Sequence, residues 1–266
     1  MGNAFAGPPV GAALFAGAAA LPFGVNAASF ALAAALVWSI RGRFSSVRSG
    51  RTTIRRDVTE GVRWLFRQRV LRTLSVMAGV TNLFVMGIVA TFVLFAQDLL
   101  GVTDLGYGIL LSALGVGGLA GAAVAPRLVS RFGPGTTAQG SVAAGILVSL
   151  VMGSTSEALV AGTMMILYGA GITAWNVVSV TLRQSLTPDR LRGRVAGAAR
   201  LLAWGTQPLG AAAGGAIAST LGLRAPFFVA ASAWIVMIAV TLPIVNNASI
   251  EEARGSRAGP AGSQRP

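Results

Sequence analysis

Side chains able to bond or stack with a small molecule are few in this sequence, and they sit inside long apolar runs. Tyr168, Trp175 and Ser179 recur at helical spacing in one run, with Thr173 and Asn176 on the adjacent stripe. An earlier run carries Thr81, Asn82, Thr91 and Gln97, and a later one Trp204, Thr206 and Gln207 just before Pro208. A polar side chain facing lipid is costly, so these residues should turn inward, where they either contact a substrate or hydrogen-bond a neighbouring helix. Trp204 has the further alternative of an interface anchor. This is chemistry of recognition rather than of bond-making. The chain has no Cys and no His, which removes disulfides, thiol chemistry and the commonest metal ligands, so no metal and no other cofactor is expected. It contains no Gly-x-x-x-x-Gly-Lys-Ser/Thr loop, which leaves ATP without a binding signature. Nothing here reads as an enzyme.

The elements that position these residues are set by a lipid solvent. Hydrophobic residues make up 54% and charged residues 11%, against roughly 25% charged in a soluble domain. Mean hydropathy is +0.70. The net charge of +13 comes from 21 basic residues, all Arg, clustered at the ends of apolar runs. That placement reads as membrane topology and excludes nucleic acid as a partner. Ten of the Arg fall between Arg41 and Arg72, opposed by Asp57 and Glu60. A short loop this basic stays in the cytoplasm, and it orients the rest.

No charge occurs before Arg41, a length sufficient for two spans of about 20 residues each, with a break at Leu21-Pro22-Phe23-Gly24. A signal peptide ending near Ala18-Ala19-Ala20 is the rival reading, though no basic segment precedes the apolar part. Six further charge-free windows follow, at 73–97, 105–126, 132–156, 158–182, 201–223 and 225–250. The loops between them alternate in charge. Asp98 and Asp104, Glu157 and the lone Arg224 mark one side; Arg127 and Arg131, then Arg183, Arg190, Arg192, Arg194 and Arg200, mark the other. Eight spans with both termini in the cytoplasm satisfy every loop, in a multi-pass protein of the cell (cytoplasmic) membrane. The expected divisions are 1–40 (two helices), 41–72 (the Arg-rich cytoplasmic loop), 73–245 (six helices) and 246–266, a disordered cytoplasmic tail.

Within the Arg-rich loop, Ile54, Val58, Val62 and Leu65 recur at helical spacing, which suits either a helix in the headgroup layer or a solvated linker helix. Gly7 and Gly11, Gly117 and Gly121, and Gly210 and Gly214 are each four apart, a signal for closely packed helices. Pro9-Val10-Gly11-Ala12-Ala13 with Ala27-Ala28-Ser29 is repeated as Pro208-Leu209-Gly210-Ala211-Ala212 with Ala230-Ala231-Ser232. Both copies begin in the cytoplasm, so the repeat is parallel, as in a six-helix unit used twice.

These residues resemble the major facilitator superfamily. Thr187-Pro188-Asp189-Arg190-Leu191-Arg192-Gly193-Arg194-Val195 is similar to the Pro-acid-x-x-Arg-Gly-Arg-Val loop of its enterobactin-exporter-like and macrolide-efflux-like branch, and Glu60-Gly61-Val62-Arg63-Trp64-Leu65 to that branch's central loop. Gly115-Val116-Gly117-Gly118 leading to Arg127 through Gly133 resembles the second copy of the cytoplasmic Gly/Asp-Arg-x-Gly motif. Ser130 stands where Asp is usual, and Pro134-Gly135 where basic residues often follow. The resemblance implies an all-α membrane protein: about eight transmembrane helices, being the last two of an N-terminal bundle plus a complete C-terminal six-helix bundle, in an N-terminally truncated chain.

It implies a secondary transporter, an exporter of small amphiphilic compounds such as drugs or siderophores, working by alternating access with protons as the coupling ion of the full-length protein. Its partners are then the bilayer, a small-molecule substrate and protons. The alternatives are an inactive fragment and a non-transporting structural or regulatory membrane protein. The runs holding Thr81, Asn82, Thr91 and Gln97, and Tyr168, Thr173, Trp175, Asn176 and Ser179, would be cavity-lining helices, with Gln207 beside them. Arg127, Arg131 and Gly133, with Pro188, Asp189, Arg192, Gly193 and Arg194, would form the cytoplasmic gate. The plain reading of that last loop is a capped turn carrying topology charge: Thr187 as N-cap, Pro188 at the first helical position and Asp189 in the first turn.

Overall fold

An apolar run in lipid must satisfy its backbone hydrogen bonds internally, which leaves the helix as the form for a single segment. The computed structural model describes residues 21–40 and 54–258; among them every ordered element is helical. Helix α1 is Leu21–Ser39, α2 Ile54–Arg67, and α3 Arg69–Leu94, which continues through a wider π turn, Phe95–Leu99. Then come α4 (Asp104–Phe132), α5 (Pro134–Ser154), α6 (Ala158–Leu186), α7 (Arg192–Gly205), α8 (Gln207–Leu221), α9 (Ala225–Thr241) and α10 (Asn247–Ala258). Among the described residues, four stretches are long and apolar enough to cross a membrane: Arg69–Leu99, Asp104–Phe132, Pro134–Ser154 and Ala158–Leu186. The expected span before Leu21, the Gly7 and Gly11 pair, the Pro9 copy of the repeat, residues 41–53 and the tail beyond Ala258 lie outside the described residues.

Small residues set the packing. A Cβ on Gly117 would overlap the Ile166 carbonyl and one on Gly121 the Ala170 carbonyl, so α4 lies backbone to backbone on α6. Gly210 and Gly214 meet Leu83 and Gly87 in the same way, joining α8 to α3. Both spacings are therefore interfaces within the chain. Helix α5 packs on α6 and α9. A cluster around Leu74, Met77, Leu182, Val195 and Trp234 fills one end of the bundle, and another around Phe92, Phe95, Met152 and Phe227 fills the other. The described side chains of α1, by contrast, are exposed all round, Trp38 at 90%, as befits a helix whose surroundings are lipid or another membrane helix.

Several expectations differ from the structure. The span placed at 201–223 begins earlier, at Arg192, and is interrupted at Thr206, because Pro208 has no N–H for the Trp204 carbonyl. The span placed at 225–250 ends at Thr241 in a turn containing Pro243, and the tail expected to be disordered from Asn246 instead forms α10. Val245 and Ile250 are fully buried there, which anchors the segment. Helix α2 turns its apolar face to α7 and the core: Gly61 lies against the Arg194 backbone, Leu65 is 0% exposed and Val58 stays open at 43%. Thr187 is the C-cap of α6 rather than an N-cap, and its buried Oγ1 has no partner among the described residues; Asp189–Leu191 form a short 3-10 turn leading into α7.

Candidate functional site

The polar residues of the spans fall into three groups. The first joins α3 to the interrupted helix. Asn82 Nδ2 donates to the Ala78 carbonyl of its own helix at 2.8 Å, and Asn82 Oδ1 accepts from Gln207 Nε2 at 3.1 Å. One residue before Gln207, Thr206 Oγ1 donates to the Gly79 carbonyl at 2.9 Å. Thr206 thus bonds across to α3 where its own helix is broken, and Asn82 with Gln207 gives a polar pair at the start of α8.

The second group lies inside the bundle. Thr81, Tyr168 and Trp175 line a small cavity of about 40 Å³ together with Trp234 of α9. Tyr168 and Trp234 also line a second cavity, of about 110 Å³, walled by α3, α4, α5, α6 and α9. The Tyr168 hydroxyl and the Trp234 Nε1 are both buried without a hydrogen-bond partner among the described residues. So is Ser179 Oγ, one turn beyond Trp175. The helical spacing of Tyr168, Trp175 and Ser179 therefore does place them on an inward stripe. Trp234 carried no spacing signal, being a single aromatic in an apolar window.

The third group is satisfied locally or stands apart. Thr91 is buried and donates to its own helix, at 3.3 Å to Gly87 and 3.2 Å to Ile88. Gln97 is exposed on the π turn and donates to Asp104 Oδ1 at 2.7 Å, holding the α3–α4 connection. Thr173 is buried against α4, with Gly118 as its neighbour. Asn176 is exposed on α6.

At the end bearing most Arg, Arg194 of α7 pairs with Glu60 of α2. Asp189 pairs with Arg192 at 2.9 Å, three residues away and well exposed. Pro188 is half-buried, and Gly193 is exposed with open space around it. Arg131 lies over the Phe132 ring at 5.5 Å, and Arg127 reaches only the Ala123 carbonyl, at 3.5 Å. Among the described residues neither makes an ion pair. Gly133 has a φ of 82°, a conformation suited to glycine, at the junction of α4 and α5. Asn247 of α10 closes this junction. Its Oδ1 accepts from the Gly135 N–H at 2.8 Å, and its Nδ2 donates to the Phe132 carbonyl at 2.7 Å. That side chain caps the start of α5 from the far end of the chain, which local sequence patterns do not reveal.

The described carboxylates lie at the ends of the long spans (Asp98, Asp104, Glu157), in the turn before α7 (Asp189) or in α2 and α10 (Glu60, Glu251, Glu252). What the spans offer is hydrogen bonding and aromatic surface in an apolar interior. Comparison with curated proteins gives no match. A family model described as Transmembrane secretion effector matches residues 3–258.

Proposed function

Because the chain belongs to the transmembrane secretion effector family of the major facilitator superfamily, and is thus a multi-pass membrane protein of an efflux family, we propose that it exports small amphiphilic compounds, such as drugs or siderophores, by alternating access. The observation that carries this reading is the helix broken at Thr206, with Asn82 and Gln207 paired beside the break. Interrupted spans line substrate sites in transporters, and here Pro208 withholds the N–H that would continue the α7 ladder while the polar pair sits beside the break. The inward stripe of Thr81, Tyr168, Trp175 and Ser179 extends the polar lining. Thr91, Gln97, Thr173 and Asn176 complete the proposed set, Asn176 through its open side chain and the other three by positioning the helices.

The loop Thr187–Val195 supports assignment to the enterobactin-exporter-like and macrolide-efflux-like branch. In this reading Arg194 with Glu60 is the cytoplasmic latch, while Arg127, Arg131 and Gly133 shape the neighbouring turn. Pro188, Asp189, Arg192 and Gly193 set the start of α7. Eight spans, both termini in the cytoplasm and placement in the cell membrane follow from the alternation of loop charge. Proton coupling belongs to the proposal as well; the described carboxylates at the outer ends of the spans are Asp98, Asp104 and Glu157.

The test is dye efflux from inverted membrane vesicles holding the full chain, under an imposed pH gradient. Asn82→Ala and Gln207→Ala should each change the rate or the dye preference while membrane abundance stays constant. Parallel loss of abundance and activity would assign the pair to packing alone.

A further inference from the structure

Helices α4 and α5 both lie along α6 but touch each other little, and a cleft of about 490 Å³ opens between them with α6 as its floor. It follows α4 from Ala120 to Phe132, a length of about 18 Å at 1.5 Å per residue. One leaflet is about 15 Å deep, half of a hydrocarbon core roughly 30 Å thick. The cleft is open at its side: Val124 and Phe132 are 43% and 49% exposed, and Gly140 has nothing within 4 Å of where a Cβ would stand. Its hydroxyls are already engaged. Thr137 Oγ1 donates to the Gly133 carbonyl at 2.8 Å and Ser141 Oγ to the Thr137 carbonyl at 2.9 Å, while Thr136 Oγ1 accepts from Asn247 Nδ2 at 3.2 Å. A polar solute buried there would lose its water and gain few partners, whereas a hydrocarbon chain has no such bonds to lose.

The mouth of the cleft is cationic. Arg131 shares the α4 face of Ala120 and Val124, and its guanidinium carbon stands 5.5 Å from the centre of the Phe132 ring, which lines the cleft. Arg127, one turn earlier, reaches only the Ala123 carbonyl. Both are exposed, and among the described residues neither has a carboxylate partner. The residues lining the trough itself carry no charge. A basic mouth above an uncharged trough one leaflet deep fits a molecule with one anionic end and a hydrocarbon remainder. We propose that the cleft holds one acyl chain of an anionic phospholipid, whose phosphate meets Arg131 and Arg127 in the headgroup layer. A zwitterionic lipid fills the same trough but gains less at the mouth. The site lies on α4 and α5, away from the Asn82 and Gln207 pair, and it goes beyond the export reading without depending on it.

The full chain, purified in detergent, is titrated with phosphatidylglycerol and with phosphatidylcholine of matched chains, and retained lipid is counted by native mass spectrometry. One phosphatidylglycerol should be held more tightly than phosphatidylcholine. Arg127→Gln and Arg131→Gln should each weaken phosphatidylglycerol about 5-fold, the effect of one basic residue near a membrane surface, and leave phosphatidylcholine nearly unchanged. Gly140→Leu, which fills the cleft from a position with open space, should abolish tight retention of both lipids, with thermal unfolding of each variant reporting that the fold is intact. Phosphatidylglycerol carrying a photoreactive diazirine in its acyl chain should cross-link to residues 120–144 or 167–174. Equal retention of the two lipids by the wild type would overturn the proposal, as would phosphatidylglycerol binding that is unchanged in Gly140→Leu or in the double Arg variant. Cross-links spread evenly over all the spans would mean an unspecific lipid shell and overturn it too. A dimer that forms in lipid-free detergent and is broken by Gly140→Leu would assign the cleft to a second copy of the chain instead.

Discussion

A single buried hydroxyl separates two ways of using a polar residue inside a membrane. Ser179 Oγ has no partner among the described residues, whereas Thr91 Oγ1 spends its proton on its own helix. Leaving a buried polar group unpaired costs about 1–3 kcal/mol. Ser179→Ala should therefore keep or raise the thermal unfolding temperature, and any change in dye preference would then report contact with substrate. A fall in unfolding temperature would mean that Ser179 has a partner supplied by structure outside the described residues. Asn82 and Gln207 make the opposite case, since they satisfy each other. Interhelical bonds of this kind average about 0.6 kcal/mol in membranes. The double variant Asn82→Ala with Gln207→Ala should accordingly be less destabilised than the sum of the single variants by about that amount, measured by unfolding in mixed micelles. Strict additivity would mean that the pair contributes no coupling.

At the scale of elements, backbone contact decides what the helices tolerate. A methyl group on Gly169 would overlap the Leu114 carbonyl, whereas one on Gly118 would meet only Thr173 Oγ1, at 3.4 Å. Overpacking costs typically 1–3 kcal/mol. Gly169→Ala should thus lower the unfolding temperature and Gly118→Ala should not; equal behaviour would show that α4 and α6 do not approach as closely as described. The four long spans between Arg69 and Leu186 were legible from the sequence, because charge-free windows report membrane thickness directly, and so was the close packing announced by the Gly117/Gly121 and Gly210/Gly214 spacings. Helix ends were not legible. Arg192 to Arg200 carry charges and read as loop, yet Val195, Ala198 and Ala199 are buried and draw the helix back to Arg192. The tail reads as disordered from its Gly, Ser and Arg content, but Asn247 caps α5 from 112 residues away and Ile250 is buried in the core. Of the candidate site, the stripe Tyr168, Trp175 and Ser179 was visible as a period. Trp234 was not, because one aromatic residue has no period.

At the scale of the whole molecule, charge is the physical term that would set its direction in the membrane. The described end bearing Arg127, Arg131, Arg190, Arg192 and Arg194 also holds α2 and α10, while Asp98, Asp104 and Glu157 mark the opposite end. Moving the first end across the membrane would carry many guanidinium groups through hydrocarbon, each costing about 2.5–3.5 kcal/mol on insertion scales. The opposite end carries three carboxylates and Arg224, whose guanidinium is engaged by the Gly153 and Thr155 carbonyls at 2.8 and 2.9 Å. Since the chain contains no Cys, single Cys replacements give a background-free readout with a membrane-impermeant thiol reagent. Gly135 is unsuitable as a labelling position, because a side chain there would run into the Asn246 backbone. Gly193 and Gly255 have open space and Ser130 is exposed. Ser130→Cys, Gly193→Cys and Gly255→Cys should be labelled only after the cells are permeabilised, and Asp98→Cys and Ser156→Cys in intact cells. Labelling of Gly193→Cys from outside would reverse the orientation, and with it the assignment of the Arg194 and Glu60 latch to the cytoplasmic side. Labelling of both sets from one side would refute the alternation of loops on which the eight-span arrangement rests.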